Sequence, residues 1–452
     1  MEKLAAVSRS YRNPYSTENA LNDSADTTIA QAPRPLGLWS ATALVVGSMI
    51  GSGVFLLPAS LAPYGAASLI GWAITLCGAM LLALTFSRLA RRWPQTGGPY
   101  VFAREGFGDL SGFVVAWSYW TSTCCGNAAI AVAFAGSVGA LFPALTATPA
   151  RAAACALGAL WLCSAVNLAG VREAGRMQVL TTALKLVPLL LFGGVALWFV
   201  DASHFRPFNP SGESLPNAVQ ATVALTLWAF LGLEAATVPA GAIRDASRTI
   251  PRATIFGTLL AGIATILACT AVLGLLPLDV VKNSQAPMVD AARALWGSGA
   301  GIGIALVAAV SCFGALNGWV LVAAQIPYAA ARDGILPQRF ARLDRNGTPV
   351  FGIVVSSVLA SVLVLSNFTH TLVQLFTFSI LLSTAAILLP YVVSAAAWLR
   401  RGDGGGRVVA VLALAYSLYA LVGTGREPLL WGAVLVAAGL PVYAWGRRRA
   451  RT

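Results

Sequence analysis

Gly51-Ser52-Gly53 lies in the middle of an apolar run that extends from Leu36 to Leu61. Glycine is a costly helix residue, so a helix through this run is interrupted there. Inside a bilayer, non-helical backbone is tolerated only where it is buried in protein or lines a cavity. A second interruption falls in the sixth apolar run, at Phe230-Leu231-Gly232-Leu233-Glu234. Broken helices at matching places in two halves of a chain point to the substrate site of a secondary transporter.

Twelve apolar runs occur, at 36–61, 66–88, 108–142, 149–170, 175–200, 217–243, 252–276, 299–331, 349–366, 370–399, 407–424 and 427–446. About 20 residues suffice to span a bilayer, and the third and eighth runs are long enough to tilt. With 57% hydrophobic and 10% charged residues, a soluble fold would expose large apolar patches. The order predicts a five-helix repeat over 36–200, a second over 201–399 in the opposite orientation, and two further helices with a basic tail over 400–452. Residues 1–35 are polar, lack a signal-peptide apolar region, and read as a disordered cytoplasmic tail. Gly97 to Phe107 predicts a short amphipathic stretch, with Asp333 to Arg345 as its expected counterpart after the eighth run.

The net charge of +13 would raise nucleic acid as a partner in a soluble protein. Here its distribution argues otherwise. With a cytoplasmic N-terminus, 24 of the 30 Lys and Arg residues fall in tails and inward loops. Arg151, Arg206, Lys282, Arg293 and Arg426 fall outside, and Lys185 remains within a span. This bias places both termini in the cytoplasm and makes no nucleic acid partner necessary. All seven cysteines lie in apolar runs, so no disulfide framework is implied. No Walker motif, zinc spacing, nucleophile–base pair or cofactor motif occurs, and the two histidines, His204 and His370, lie near outward loops. Neither a primary pump nor a membrane enzyme finds support, and no charged ring or filter repeat supports a channel.

At the first break, Ser52 and Gly53 leave N–H groups at a helix N-terminus, a site suited to a carboxylate. Gly-Ser-Gly alone also reads as a packing kink; the second break tips it towards binding. Glu234 is an acidic residue inside an apolar run and needs a partner or a proton there. It reads as a coupling group or as a structural carboxyl of the unwound helix. Trp228 and Trp319 lie away from the membrane interfaces, and two central indoles suit a cationic ligand. Asn127 and Ser383 are mid-span polar groups able to bond an amine or guanidinium. Tyr119, two turns before Asn127, is placed to cap a cavity. Lys185 is too deep to snorkel easily. In a first-repeat helix next to the broken one, its ammonium is expected to take the place that a coupling sodium takes elsewhere, with loss of its proton coupling transport; a paired structural lysine is the alternative.

These residues resemble the basic amino acid/polyamine antiporters of the amino acid–polyamine–organocation superfamily. The likeness runs from Gly37 to about Arg449 and rests on Gly51 to Ala59, Leu227 to Ala235, Gly318-Trp319, Ile250 to Thr254, Arg332-Asp333-Gly334 and Gly347-Thr348-Pro349. It implies an all-α, twelve-helix, LeuT-like fold with broken first and sixth helices, in a bacterial inner membrane, with homodimers known among members. It implies carboxylate binding at Ser52 and Gly53, with Met49, Trp228 and Leu231 offering carbonyls to the α-amino group. Trp228 would stack on the side chain, with Asn127, Ser383 and Trp319 around a guanidinium. Tyr119 matches an outer-gate residue and Glu234 a carboxyl linked to pH response. The implied cargo is arginine exchanged for its decarboxylated amine, agmatine, without cofactor. Ser48 and Thr123 depart from the family's Asn and Cys at site-lining positions. Lys185 departs too, matching a lysine of proton-coupled relatives and favouring a symporter of broader range as the alternative.

Overall fold

The computed structural model describes residues 36–169, 171–345, 347–366, 371–402 and 404–449. The expected tail at 1–35 and His370 lie outside them. The first run forms α1 (Leu38–Met49) and α2 (Gly53–Leu61), separated at Ile50 to Ser52. Then follow α3 (Ala67–Arg92), α4 (Pro99–Phe107), α5 (Asp109–Leu141), α6 (Pro149–Ala169) and α7 (Val171–Ala196). The second half comprises α8 (Leu215–Leu227), α9 (Ala246–Leu275), α10 (Leu278–Asn283), α11 (Pro287–Trp296), α12 (Ser298–Arg332), α13 (Val350–Ser366) and α14 (Leu372–Arg401). The chain ends in α15 (Arg407–Gly423) and α16 (Arg426–Arg449). Nine spans are long and apolar enough to cross a bilayer among the described residues; α13 and α15, at 17 residues each, and the broken α8 complete twelve crossings.

The sixth element departs from expectation in one respect. No second α-helical half follows its break. The backbone continues from Trp228 to Ala242 through 3-10 turns at Trp228–Phe230, Ala235–Thr237 and Ala240–Ala242. Gly232 at φ 102, Pro239 without an N–H, and Gly241 make α-helix unfavourable there. The stretch is anchored to the start of the first element, where Leu36 and Ile243 form a parallel bridge and Arg244 N–H donates to Leu36 O at 2.9 Å.

Proline inside a buried helix removes an N–H and strands the carbonyl four residues earlier. Three such carbonyls are taken by side chains of neighbouring helices. Pro58 frees Val54 O, which lies 3.8 Å from Cys269 Sγ. Pro327 frees Ala323 O for Ser356 Oγ at 3.3 Å. Pro390 frees Ala386 O for Ser118 Oγ at 2.6 Å. The carbonyls freed at Pro58, Pro327 and Pro390 are thus met by side chains of packed neighbours.

The repeat is visible in a small motif. Gly108 closes α4 and starts α5 at φ 92, ψ −177; Gly297 closes α11 and starts α12 at φ 84, ψ −177. Each N–H donates to the carbonyl of an arginine four residues back, Arg104 at 2.7 Å and Arg293 at 2.9 Å. Four residues onward stand Gly112 and Gly301, each close enough to the respective arginine that an added Cβ would lie 3.0 or 3.3 Å from its Cβ. The pattern Arg-x3-Gly-x3-Gly is thus present in both halves. The amphipathic helix expected over 97–107 is α4. Its counterpart is α11; residues 333–345 instead contain one 3-10 turn, Gln338–Ala341.

Candidate functional site

The pocket forms where the two breaks meet α5, α12 and α14. It is lined by Ser48, Met49, Gly51, Ser52 and Gly53 from the first break, Trp228 and Leu231 from the sixth element, Ser122, Thr123, Gly126 and Ile130 from α5, Trp319 from α12, and Ser383 and Ile387 from α14. None of these side chains is ionisable. The cavity is about 20 Å³, the space of a single water, so the surrounding elements must part to admit a solute.

Breaking a helix strands carbonyls as well as N–H groups. Gly47 O accepts from Lys185 Nζ of α7 at 2.6 Å, and Ser48 O accepts from Trp319 Nε1 of α12 at 3.1 Å. The carbonyl side of the break is therefore held by two donors from different helices. On the other side, Phe55 N–H and Leu56 N–H return to Ser52 O, which leaves Ser52 and Gly53 N–H without a helical acceptor. Ser52 Oγ is buried and has no partner among the described residues.

Trp228 is packed edge-on between two glycines. A Cβ on Gly53 would lie 3.1 Å from its Cδ1, and one on Gly126 3.2 Å from its Cη2. Phe376 meets the indole at 6.5 Å between ring centroids and 89° between planes. Ser122 and Ser383 form a reciprocal clasp between α5 and α14, each hydroxyl 2.8 Å from the other's carbonyl.

Hydrogen-bonded side chains flank the pocket on two sides. Towards Leu141 of α5 and Leu372 of α14, Ser60 Oγ and Thr377 Oγ1 stand 2.7 Å apart. Towards Asp109 and Arg401, Glu234 is fully buried and accepts from Tyr119 Oη at 2.5 Å and Tyr391 Oη at 2.7 Å. Farther towards that end, Asp333 Oδ2 accepts from Tyr100 Oη at 2.6 Å and Arg104 Nη1 at 2.8 Å. Burial, and then Asp333 beside it, raises the Tyr100 phenol above its usual range.

An amino acid permease family model matches residues 36–438. The chain belongs to the amino acid permease family. It is 33% identical to the arginine/ornithine antiporter of Pseudomonas aeruginosa, over 92% of this chain and 91% of the relative. It is 33% identical to the cadaverine/lysine antiporter of Escherichia coli strain K12, over 74% of each chain. The solved structure of Mhp1, a nucleobase-cation-symport-1 family transporter closed around bromovinylhydantoin, is similar at a TM-score of 0.55 with 14% identity, covering 93% of this chain and 94% of that one. The shared architecture is the LeuT-like fold, and this permease is a multi-pass bacterial membrane protein.

Of the residues singled out in the sequence, Ser48, Met49, Ser52, Gly53, Thr123, Trp228, Leu231, Trp319 and Ser383 line the permease pocket. Trp228 O already accepts from Leu231 N–H at 3.3 Å, whereas Ser383 is engaged by Ser122. Asn127 lies one residue beyond Gly126, outside the lining. Its amide is 1% exposed, with neither atom bonded among the described residues. Lys185 sits behind the first break and Tyr119 beside Glu234, both off the pocket wall. Ser122, Gly126, Ile130 and Ile387 were not anticipated. One helical turn either side of Thr123 and Ser383 would have found most of them.

Proposed function

We propose that this permease exchanges a cationic amino acid, arginine foremost, for a decarboxylated amine such as agmatine by alternating access. One juxtaposition carries the reading: free N–H groups at the start of α2 open onto a pocket with two indoles and no ionisable side chain. The substrate carboxylate takes the positive end of α2 at Ser52 and Gly53. Its α-amino group takes the carbonyls of Met49 and Leu231, with Trp228 O as a shared acceptor. Trp228 and Trp319 receive the side-chain cation through their ring faces. Asn127's unbonded amide and Ser383 supply acceptors nearby, while Ser48 and Thr123 shape the wall. The named antiporter relatives each pair a basic amino acid with a second cationic compound, which supports the cargo class.

Tyr119, Glu234 and Tyr391 then form the barrier on the arginine-rich end, the cytoplasmic side by the positive-inside bias. The outer-gate role that resemblance assigns Tyr119 passes to Trp228 with Phe376, and to Ser60 with Thr377. Both termini are cytoplasmic in this reading. A proton-coupled importer of wider range is the second reading, favoured by Lys185 Nζ on Gly47 O at the first break.

Proteoliposomes taking up labelled arginine, with agmatine, ornithine, arginine or nothing inside, test the proposal. Uptake that requires an internal cationic partner supports exchange, and the order of the internal substrates names the counter-substrate. Uptake into empty vesicles under an inward proton gradient replaces it with symport. No arginine uptake in any arm discards the substrate.

A further inference from the structure

Arg91, Ser247, Arg248 and Arg252 line a cavity of about 430 Å³ at the surface, where the last turn of α3 meets the start of α9. No ion pair among the described residues engages any of the three arginines. The start of α9 adds to the positive potential. Arg248 and Thr249 N–H donate to Asp245 O, whereas Ala246 and Ser247 N–H have no acceptor among the described hydrogen bonds. Asp245, the N-cap residue and the nearest acid in sequence, is exposed and makes no side-chain bond to the helix. Its single charge leaves the cluster strongly cationic.

What lies beyond the cavity identifies its occupant. Arg248, Arg252, Phe256, Leu259 and Ile263 follow one face of α9 at helical spacing. Phe256 is 54% exposed, Leu259 39% and Ile263 41%. A strip of bare apolar side chains therefore runs away from the guanidinium cluster along a membrane-crossing helix. A free anion needs only the cluster. A molecule carrying both a phosphate and a hydrocarbon chain fits the cluster and the strip together, since basic pockets beside membrane helices hold anionic headgroups. Guanidinium forks also match phosphate oxygens bidentately.

We infer that the α3–α9 groove binds an anionic phospholipid, its phosphate on Arg91, Arg248 and Arg252 and an acyl chain along Phe256 to Ile263. The groove shares no residue with the substrate pocket, so lipid binding there is independent of cargo.

The test uses the purified full chain in neutral detergent, titrated with phosphatidylglycerol, phosphatidylcholine or inorganic phosphate and read by native mass spectrometry and melting temperature. Wild type should retain phosphatidylglycerol in preference to phosphatidylcholine, and Arg248→Gln with Arg252→Gln should weaken it about fivefold per arginine removed. Ser247→Asp keeps every arginine and places a carboxylate among them, and it should abolish the preference while a Lys282→Gln control retains it. Equal retention by wild type and both cavity variants overturns the inference. So does an equal stabilisation by inorganic phosphate, which would make the cavity a free-anion site.

Discussion

Gly108 and Gly297 occupy the same glycine-only backbone region at the same junction of the two repeats. Neither would meet another atom within 4 Å if it carried a Cβ. Their constraint is therefore conformational, not steric. Gly108→Ala and Gly297→Ala should each destabilise the permease by about 1–3 kcal/mol, the cost of forcing a side chain into that region. Gly158→Ala, on an exposed helical position of α6 with equally open space, should not. Thermal unfolding of the three variants in detergent separates backbone strain from crowding; equal melting temperatures would refute the argument.

Gly53→Ala and Gly126→Ala push on opposite edges of the Trp228 indole. Each should raise the apparent KM for arginine on the order of tenfold, the effect of one misplaced methyl group in a fitted pocket. The variants should still fold, because the indole has the pocket to yield into. Transport kinetics in proteoliposomes, paired with size-exclusion profiles, check both statements.

Trp319 combines a hydrogen bond to Ser48 O with a ring on the pocket wall, and substitution can separate the two. Trp319→Phe keeps a ring but loses the hydrogen bond to Ser48 O, while Trp319→Leu loses both. If the ring face holds the substrate cation, Leu should weaken arginine by about 3- to 30-fold, with Phe between Leu and wild type. Asn127→Ala should weaken arginine as well. Unchanged uptake in both Trp319→Leu and Asn127→Ala would remove the guanidinium site.

Glu234 as a carboxylate accepts both phenols at once. Adding a proton turns one oxygen into a donor and sets it against a phenol that also donates. Glu234→Gln imitates that state permanently. Its transport rate should lose the pH dependence of wild type across the acid-to-neutral range, and a profile that keeps its shape would assign the pH response elsewhere.

Lys185→Ala tests coupling. Under proton symport it should stop gradient-driven net uptake and spare exchange between equal pools. Under strict exchange the residue is a structural clamp on Gly47 O, so net uptake is absent from wild type too. Loss of protein from the membrane fraction would mark misfolding instead.

Much of the fold was legible because a bilayer admits few solutions. Gly51-Ser52-Gly53 alone could be a packing kink, but paired with Phe230 to Glu234 at the matching place in the second half it pointed to two broken spans. The second half of the sixth element was illegible because its apolar composition resembles a helix, while Pro239 and Gly241 decide locally against one. The counterpart of α4 was misplaced because the duplicated Arg-x3-Gly-x3-Gly has three fixed positions and no hydropathy signal. Within the site, Trp228 and Trp319 stood out by residue type. Ser122 and Gly126 did not, since small residues on a long helix are ordinary until their facing partners are known. Asn127 lies one residue, about 100° of helix turn, from Gly126, which puts its buried amide beside the pocket lining.

Two hydrogen atoms, one on Gly53 and one on Gly126, form the bearing on which the Trp228 ring rests. Neither glycine puts a side chain against the ring, while Phe376 closes on it from α14. Exposed side chains change rotamer in picoseconds to nanoseconds, but Trp228 is only 8% exposed, so its turning waits on packed helices that rearrange in microseconds to milliseconds. A ring held in this way turns only when the elements that carry Gly53 and Gly126 move apart, so in this permease the side chain follows the helices and does not lead them.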